Sequence, residues 1–129
     1  MNFRFQRQQR LLNAADYTQV FDKVDAKISH NAFLILAQHS SASVPARLGL
    51  IAAKKNLRQA NQRNTFKRIV RESFRLHQQD LTGINLIVMA RSGANQLDRA
   101  QLRKALDQTW PRLFKRLASV QTDSPKPAQ

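Results

Sequence analysis

The chain has 129 residues, of which 42% are hydrophobic, so it is long enough for one domain with a modest core. Lys and Arg number 22 against eight Asp and Glu, which gives a formal net charge of +14. This excess excludes an ordinary neutral enzyme as the first expectation and favours a polyanionic partner, either nucleic acid or an anionic membrane surface. The absence of cysteine excludes a disulfide scaffold, a thiolate zinc site and a cysteine nucleophile.

No segment predicts insertion into a membrane or a bound metal. The longest apolar run, residues 84–90, is too short to span a bilayer. Residues 1–10 are basic but lack the apolar stretch of a secretory signal, and their similarity to an organelle transit peptide is weak. The three histidines are scattered without helical metal-ligand spacing: His30, His39 and His77. We expect a soluble protein of a reducing compartment, the cytoplasm.

The first half of the chain predicts one helix and three strands. A short helix is expected at residues 14–22, with Asn13 as its N-cap. Its apolar residues fall at helical spacing: Leu12, Tyr17, Val20 and Phe21. Apolar runs predict strands at residues 32–37 and 47–53, and residues 23–29 are expected to contain a short edge strand.

The second half begins with residues 54–79, which contain neither Pro nor Gly and predict a long helix. Its core-facing residues are expected to be Phe66, Ile69, Val70, Ser73 and Phe74. Gly83 ends this helical region, and a strand at 84–90 follows. After a loop at 92–96, Asp98 and Gln101 have the spacing of a capping box for a last helix, which has a potential kink at Pro111.

This order of elements predicts one α+β domain, with helices packed on a small mixed sheet. The strand at 47–53, the long helix and the strand at 84–90 form a βαβ unit. We expect a flexible basic arm at 1–10, a single RNA-binding domain at 11–118 and a disordered tail at 119–129.

The long helix carries a stripe of positive charge. Arg63, Lys67, Arg71 and Arg75 follow one another at i, i+4 spacing, with Asn64 and Arg68 on the same side. Like charges at this spacing repel, and a merely solvated face normally mixes signs, yet Glu72 is the only acid between residues 47 and 75. The stripe therefore favours contact with RNA or DNA. The candidate RNA-binding residues are Lys54, Lys55, Arg58, Arg63, Asn64, Lys67, Arg68, Arg71 and Arg75.

Two aromatic residues allow two interpretations. Tyr17 and Phe21 are four residues apart, so both project from one face of the first helix. They either pack in the core or form a platform on which bases stack. The spacing leaves both possibilities open.

Catalysis by the protein itself is not expected. No pair of acids is clustered as in a nuclease metal site, and there is no Ser/His/Asp spacing. The acids are Asp16, Asp22, Asp25, Glu72, Asp80, Asp98, Asp107 and Asp123.

Residues 53–75 resemble the signature of the bacterial ribonuclease P protein subunit. In that family a Lys-Lys pair ends a strand and a helix with a fixed series of basic residues follows. The matching residues here are Lys54-Lys55, Arg63-Asn64, Lys67-Arg68 and Arg71-Glu72, with Phe74. The resemblance extends over roughly residues 10 to 117, and includes Tyr17 and Phe21. This chain departs from the family at Thr65, where an Arg is usual, and at Leu57, where many members have Gly.

The resemblance implies an α/β sandwich with a four-stranded mixed sheet, three helices and a left-handed βαβ crossover, as in the second domain of ribosomal protein S5. It implies a ribonucleoprotein whose catalytic RNA removes the 5′ leader of precursor tRNA with Mg²⁺, held mainly by the RNA and the substrate. The protein would contact both RNAs, supply neither catalytic residues nor metal ligands, and need no membrane and no obligate protein partner. Its leader cleft would contain Tyr17, Phe21, Leu36, Ile51 and Lys55.

Two other functions are compatible with the charge. A ribosomal or generic RNA-binding protein would share the basic helix but need no aromatic cleft. A stand-alone metal nuclease would cleave precursor tRNA without an RNA subunit.

Overall fold

The computed structural model describes residues 14–39 and 46–123. The α-helices and β-strands within these ranges are, in order, α1 (Ala14–Asp22), β1 (Ala26–Ser29), β2 (Phe33–His39), β3 (Arg47–Ile51), α2 (Ala60–His77), β4 (Ile84–Ala90) and α3 (Arg99–Asp123). Two 3₁₀ helices, Gln78–Leu81 and Ser92–Gln96, flank β4. The predicted N-terminal arm and the predicted cap at Asn13 lie outside the described residues.

The strands form one mixed sheet in the order β1-β2-β4-β3. β2 pairs antiparallel with β1 and with β4, whereas β3 pairs parallel with β4. Parallel neighbours need a crossover connection, and α2 provides it between β3 and β4. The predicted α+β class, the mixed four-stranded sheet with three helices and the short edge strand before β2 are confirmed.

Both faces of the sheet carry apolar side chains, because neighbouring residues of a strand point to opposite sides. Phe33 and Ile35 of β2 belong to the main core, which α2 and α3 cover. Leu36 points to the other face and forms a second, smaller cluster with Ile87 of β4 and Val20 of α1. The sheet therefore lies between α1 on one side and α2 with α3 on the other.

The chain between β3 and α2 differs from the prediction. β3 ends at Ile51 instead of residue 53, and α2 begins at Ala60 instead of near residue 54. The Ala53 carbonyl oxygen accepts hydrogen bonds from the backbone N–H groups of Asn56 and Leu57, at 3.0 and 3.1 Å, and this closes a turn. Leu57 is buried in the main core. Tertiary packing thus overrides the helical propensity of these residues.

The 3₁₀ helices separate β4 from its neighbouring helices. Gly83 precedes β4 with a φ of 83°, in the left-handed region that glycine favours, so it ends the helical region as predicted. Residues 92–96, predicted as a loop, form a 3₁₀ turn instead. Gly93 has no room for a Cβ there, because the backbone of Asn31 lies against it.

α3 begins with the predicted capping box. Asp98 Oδ1 accepts a hydrogen bond from the Gln101 N–H at 2.8 Å, and Gln101 Oε1 accepts one from the Asp98 N–H at 2.9 Å. The helix includes Pro111 and continues to Asp123, so it extends into the segment predicted as a disordered tail. The next proline stands at position 125, beyond the end of the helix, so no proline interrupts this stretch.

Ser73 joins α2 to α3 inside the main core. Its Oγ donates a hydrogen bond to Asp107 Oδ1 at 2.6 Å and accepts one from Trp110 Nε1 at 2.7 Å. The Trp110 ring also meets the Phe74 ring edge to face, with centroids 6.4 Å apart. The predicted core face of α2 is confirmed by the buried residues Phe66, Val70, Ser73 and Phe74.

We expect Ser73→Ala to lower the free energy of unfolding by about 1–3 kcal/mol, because the buried N–H of Trp110 would lose its partner. Urea denaturation, followed by the fluorescence of the single tryptophan, measures this change. Ser92→Ala, at an exposed position, is the matched control, with an expected effect within about 0.5 kcal/mol. Equal losses in both variants would contradict the role of Ser73.

Candidate nucleic-acid interface

One side of α2 forms a surface of a single charge sign, which we call the basic face: Arg63, Asn64, Lys67, Arg68, Arg71 and Arg75. Asn64 and Arg68 are exposed, and the other four are partly exposed. The only acid of this helix, Glu72, lies on another side, where Arg103 of α3 contacts it at 3.4 Å. The basic face is thus accessible to a polyanion.

Acidic side chains elsewhere in the domain pair with cations that lie outside the basic face. Arg103 contacts Asp107 at 3.3 Å in addition to Glu72. On the opposite side of the sheet, Arg47 of β3 contacts Asp16 of α1 at 3.2 Å. These pairs bind the elements of the fold together and leave the charge of the basic face uncompensated.

The turn before α2 adds three further cations. We call residues 54–59 the basic turn, in which Lys54, Lys55 and Arg58 are exposed. Arg63 holds this turn in place, because its Nη1 donates hydrogen bonds of 2.9 Å to the carbonyl oxygens of both Leu57 and Arg58. The sequence predicted Arg63 only as an RNA contact, since the turn was expected to be helical.

On the other face of the sheet, the second apolar cluster borders an open cleft. α1 has nine residues and is therefore only about 13 Å long, whereas a strand of seven residues extends about 23 Å. This helix cannot cover the whole face. Around the buried Leu36, Val20 and Ile87 lie four residues that are only partly buried: Tyr17, Leu34, Ile51 and Met89.

The structure brings together three of the five predicted cleft residues, namely Tyr17, Leu36 and Ile51. Leu36 is buried beneath the others. Phe21, one turn after Tyr17, has 43% of its surface exposed. Lys55 is exposed in the basic turn, four residues after Ile51.

Two residues of the cleft were not predicted. Leu34 pairs with Met89, and Met89 pairs with Ile51, so the three form a row across β2, β4 and β3. Alternation along β2 places Leu34 on the same face as Leu36, which was the available signal. The row itself depends on the strand register, which the sequence does not show.

Tyr17 has both of the roles that the sequence left open. Its hydroxyl oxygen accepts a hydrogen bond from the backbone N–H of Leu50 at 3.2 Å, and its ring packs on the second cluster. Tyr17 therefore anchors α1 to β3. Phe21 makes a smaller contribution to packing, and its half-exposed ring is the one available for stacking.

Within residues 14–39 and 46–123, no three His, Asp or Glu side chains are grouped closely enough to hold a metal ion. Two of the acids accept backbone hydrogen bonds instead, since Asp25 Oδ2 binds the N–H of His39 at 2.8 Å and Asp98 caps α3. In the same part of the chain, none of the helices combines the length and the apolar composition needed to cross a membrane.

Solved structures share this fold. The chain is similar to the RNase P protein of Staphylococcus aureus, with a TM-score of 0.71 and 25% identity, covering 82% of this chain and 97% of that one. It is similar to the RNase P protein of Thermotoga maritima, with a TM-score of 0.60 and 25% identity, covering 77% of this chain and 96% of that one. The fold is that of ribonuclease P proteins.

Sequence comparison agrees with the fold. The family model described as Ribonuclease P matches residues 5–114. The ribonuclease P protein component of Saccharophagus degradans is 45% identical over 124 residues, which cover 96% of this chain and 91% of the relative. That of Marinobacter nauticus is 48% identical over 112 residues, which cover 87% and 83%. The chain belongs to the ribonuclease P protein family, and the resemblance inferred from residues 53–75 is confirmed.

The charge of the basic face predicts a salt dependence. Replacing both Lys67 and Arg68 by Ala should flatten the slope of log affinity for RNA against log salt concentration by about 0.7–0.9 for each lost phosphate contact. Titration at several salt concentrations measures the slope. The double replacement of Lys104 and Arg112 by Ala, at exposed positions of α3, removes the same charge elsewhere. An equal change in both variants would show that net charge, and not the basic face, determines binding.

Proposed function

We propose that this chain is the protein subunit of ribonuclease P. In this proposal it binds the catalytic RNA and the 5′ leader of precursor tRNA, and it assists the Mg²⁺-dependent endonucleolytic removal of the leader. The RNA subunit performs the catalysis. Membership of the family supports the assembly with an RNA, and the site residues support the division of tasks described below.

The observation that carries the proposal is the presence of two different surfaces on the two sides of one sheet. The basic face of α2 has the charge to approach the phosphates of a large folded RNA. The cleft between α1 and the sheet is apolar and has an aromatic ring at its border, which suits the bases of a single strand. The basic turn connects the two surfaces. A generic RNA-binding protein would need only the first of them.

The cleavage chemistry is assigned to the RNA because the acids of this protein have other tasks. Asp16, Glu72 and Asp107 pair with arginines, and Asp25 and Asp98 accept backbone N–H groups. None of these arrangements fits a metal site of the protein. Mg²⁺ held by the RNA and the substrate would activate the attacking water. The cations of the basic face and of the basic turn reduce the repulsion between the two RNAs, which raises the local affinity for Mg²⁺.

We further propose that the protein acts in the cytoplasm and needs no other protein for this role. The reaction requires only the catalytic RNA, precursor tRNA and Mg²⁺ as partners of the chain.

The accessory role predicts that the pure protein does not cleave precursor tRNA with Mg²⁺ alone, and that adding the catalytic RNA gives cleavage. Replacing each acid in turn should leave single-turnover cleavage intact at saturating protein and Mg²⁺. A carboxylate that holds a catalytic metal would contribute several kcal/mol, so its loss would slow the step roughly a thousandfold. A loss of that size in an acid variant that still assembles with the RNA would identify a metal nuclease instead.

The leader cleft predicts that Phe21→Ala weakens the binding of precursor tRNA more than that of mature tRNA, because only the precursor has a leader. A lost stacking contact corresponds to about 1–3 kcal/mol per base, or roughly five- to 150-fold in affinity. Tyr17→Ala should act in the same direction, whereas Tyr17→Phe keeps the ring and separates stacking from the hydrogen bond to Leu50.

Phe114→Ala is the matched control for Phe21→Ala. Phe114 has 52% of its surface exposed, but it lies on α3, on the other side of the sheet from the cleft. It should leave the preference for the precursor unchanged. Equal weakening of both tRNAs by Phe21→Ala, with circular dichroism showing an intact fold, would return this ring to a packing role and remove the support for a leader cleft.

A further inference from the structure

A polar groove of about 400 Å³ lies beside the carboxyl ends of the parallel strands β3 and β4. Its cations, Lys55 and Arg58, come from the basic turn, and its neutral polar groups come from α2 and from the 3₁₀ helix after β4. These polar groups include Gln62, Ser92 and Asn95, and neither an acidic nor an apolar side chain lines the groove among the described residues. The volume is within the range of about 300–1,000 Å³ that is typical of sites for small ligands.

Hydrogen bonds from three directions hold the groove in a fixed shape. Asn56 Nδ2 donates to the carbonyl oxygen of Ala90 at 3.0 Å, which attaches the basic turn to the end of β4. Asn95 Nδ2 donates to the carbonyl oxygen of Asn56 at 2.8 Å, and Arg63 binds the carbonyl oxygens of Leu57 and Arg58. A ligand therefore meets groups that are already positioned, and it does not have to order the turn.

The composition of the groove defines the chemistry of its ligand. Two cations without a neighbouring carboxylate favour an anion such as a phosphodiester. The amides and the hydroxyl offer both donors and acceptors, which suit ribose hydroxyls and base edges. The lack of an aromatic lining argues against stacking. A nucleotide held by its phosphate, its sugar and the edge of its base meets all three conditions.

The position of the groove shows which nucleotide it would take. Ile51 and Met89 pair across β3 and β4 in the cleft. The residue after Met89 is Ala90, whose carbonyl oxygen holds the basic turn, and Lys55 follows Ile51 by four residues. The groove therefore begins where the row of cleft residues ends.

We propose that this groove binds one nucleotide of the single-stranded leader as the strand leaves the cleft, with its phosphate on Lys55 and Arg58 and its sugar or base edge on Gln62 and Asn95. This inference rests on the proposed function and extends it by a second subsite for the leader. The two subsites differ in chemistry, because the cleft stacks bases whereas the groove reads phosphate and polar edges.

The test places a carboxylate in the groove of the assembled complex of protein and catalytic RNA. Ser92→Glu would bring a negative charge to Lys55 and Arg58 and compete with the phosphate. Gln96→Glu is the charge-matched control, because Gln96 is exposed on the same 3₁₀ helix but does not line the groove. Ser92→Gln has the size of the first variant without its charge.

Affinities are measured for precursor tRNA and for mature tRNA. Ser92→Glu should weaken the binding of the precursor by about tenfold and leave that of mature tRNA unchanged, because like charges would then meet across the site. Gln96→Glu and Ser92→Gln should both bind the precursor like the wild-type protein. The salt slope for the precursor should flatten by about 0.7–0.9 in Ser92→Glu, which corresponds to one lost phosphate contact.

Two results would overturn the proposal while the proposed function stands. In the first, Ser92→Glu and Gln96→Glu bind the precursor equally well. In the second, Ser92→Glu weakens precursor and mature tRNA to the same extent. A wild-type complex that does not prefer the precursor over mature tRNA would instead refute the leader cleft, and the groove proposal with it.

Discussion

The central sheet has apolar side chains on both of its faces, and the need to cover both determines where the other elements lie. Two long helices bury one face almost completely, and this main core provides the greater part of the apolar burial. A single short helix covers part of the other face. The same sheet thus supports a stable core on one side and an apolar surface with free space on the other. A protein of this size could not keep both sides open, because small domains bury only a modest fraction of their surface.

The core also explains how the domain tolerates a helix side with cations alone. Three pairs of like charges follow one another from Arg63 to Arg75, and each pair costs about 0.2–0.5 kcal/mol in an exposed helix. The cost is therefore on the order of 1 kcal/mol. Full burial of Phe66, Val70 and Phe74 on the other side of α2 contributes about 1.5–3 kcal/mol each. The packing of α2 outweighs the repulsion, so the helix forms before any polyanion binds.

The sequence predicted those parts of the fold that local patterns determine. α1 and β4 have the predicted bounds, and the capping box at Asp98 has its two hydrogen bonds, because each depends on residues close together in the chain. The start of α2 was wrong, since it depends on Leu57 entering the core and on Asn56 binding Ala90, which is 34 positions away. The bonds of Arg63 to the turn have the same origin. In the site, the identity of the basic residues was accessible from spacing alone.

The contacts of Tyr17 and Arg116 have a consequence for the solubility of the protein. β3 and β1 are the two edges of the sheet, and edge strands with unpaired backbone groups can join the strands of other molecules. The Tyr17 hydroxyl occupies the N–H of Leu50 on β3, and the Arg116 guanidinium occupies the carbonyl oxygen of Lys27 on β1. Side chains of α1 and α3 thus obstruct both edges. A newly made chain whose α1 and α3 have docked is protected from edge-to-edge aggregation even before it meets an RNA.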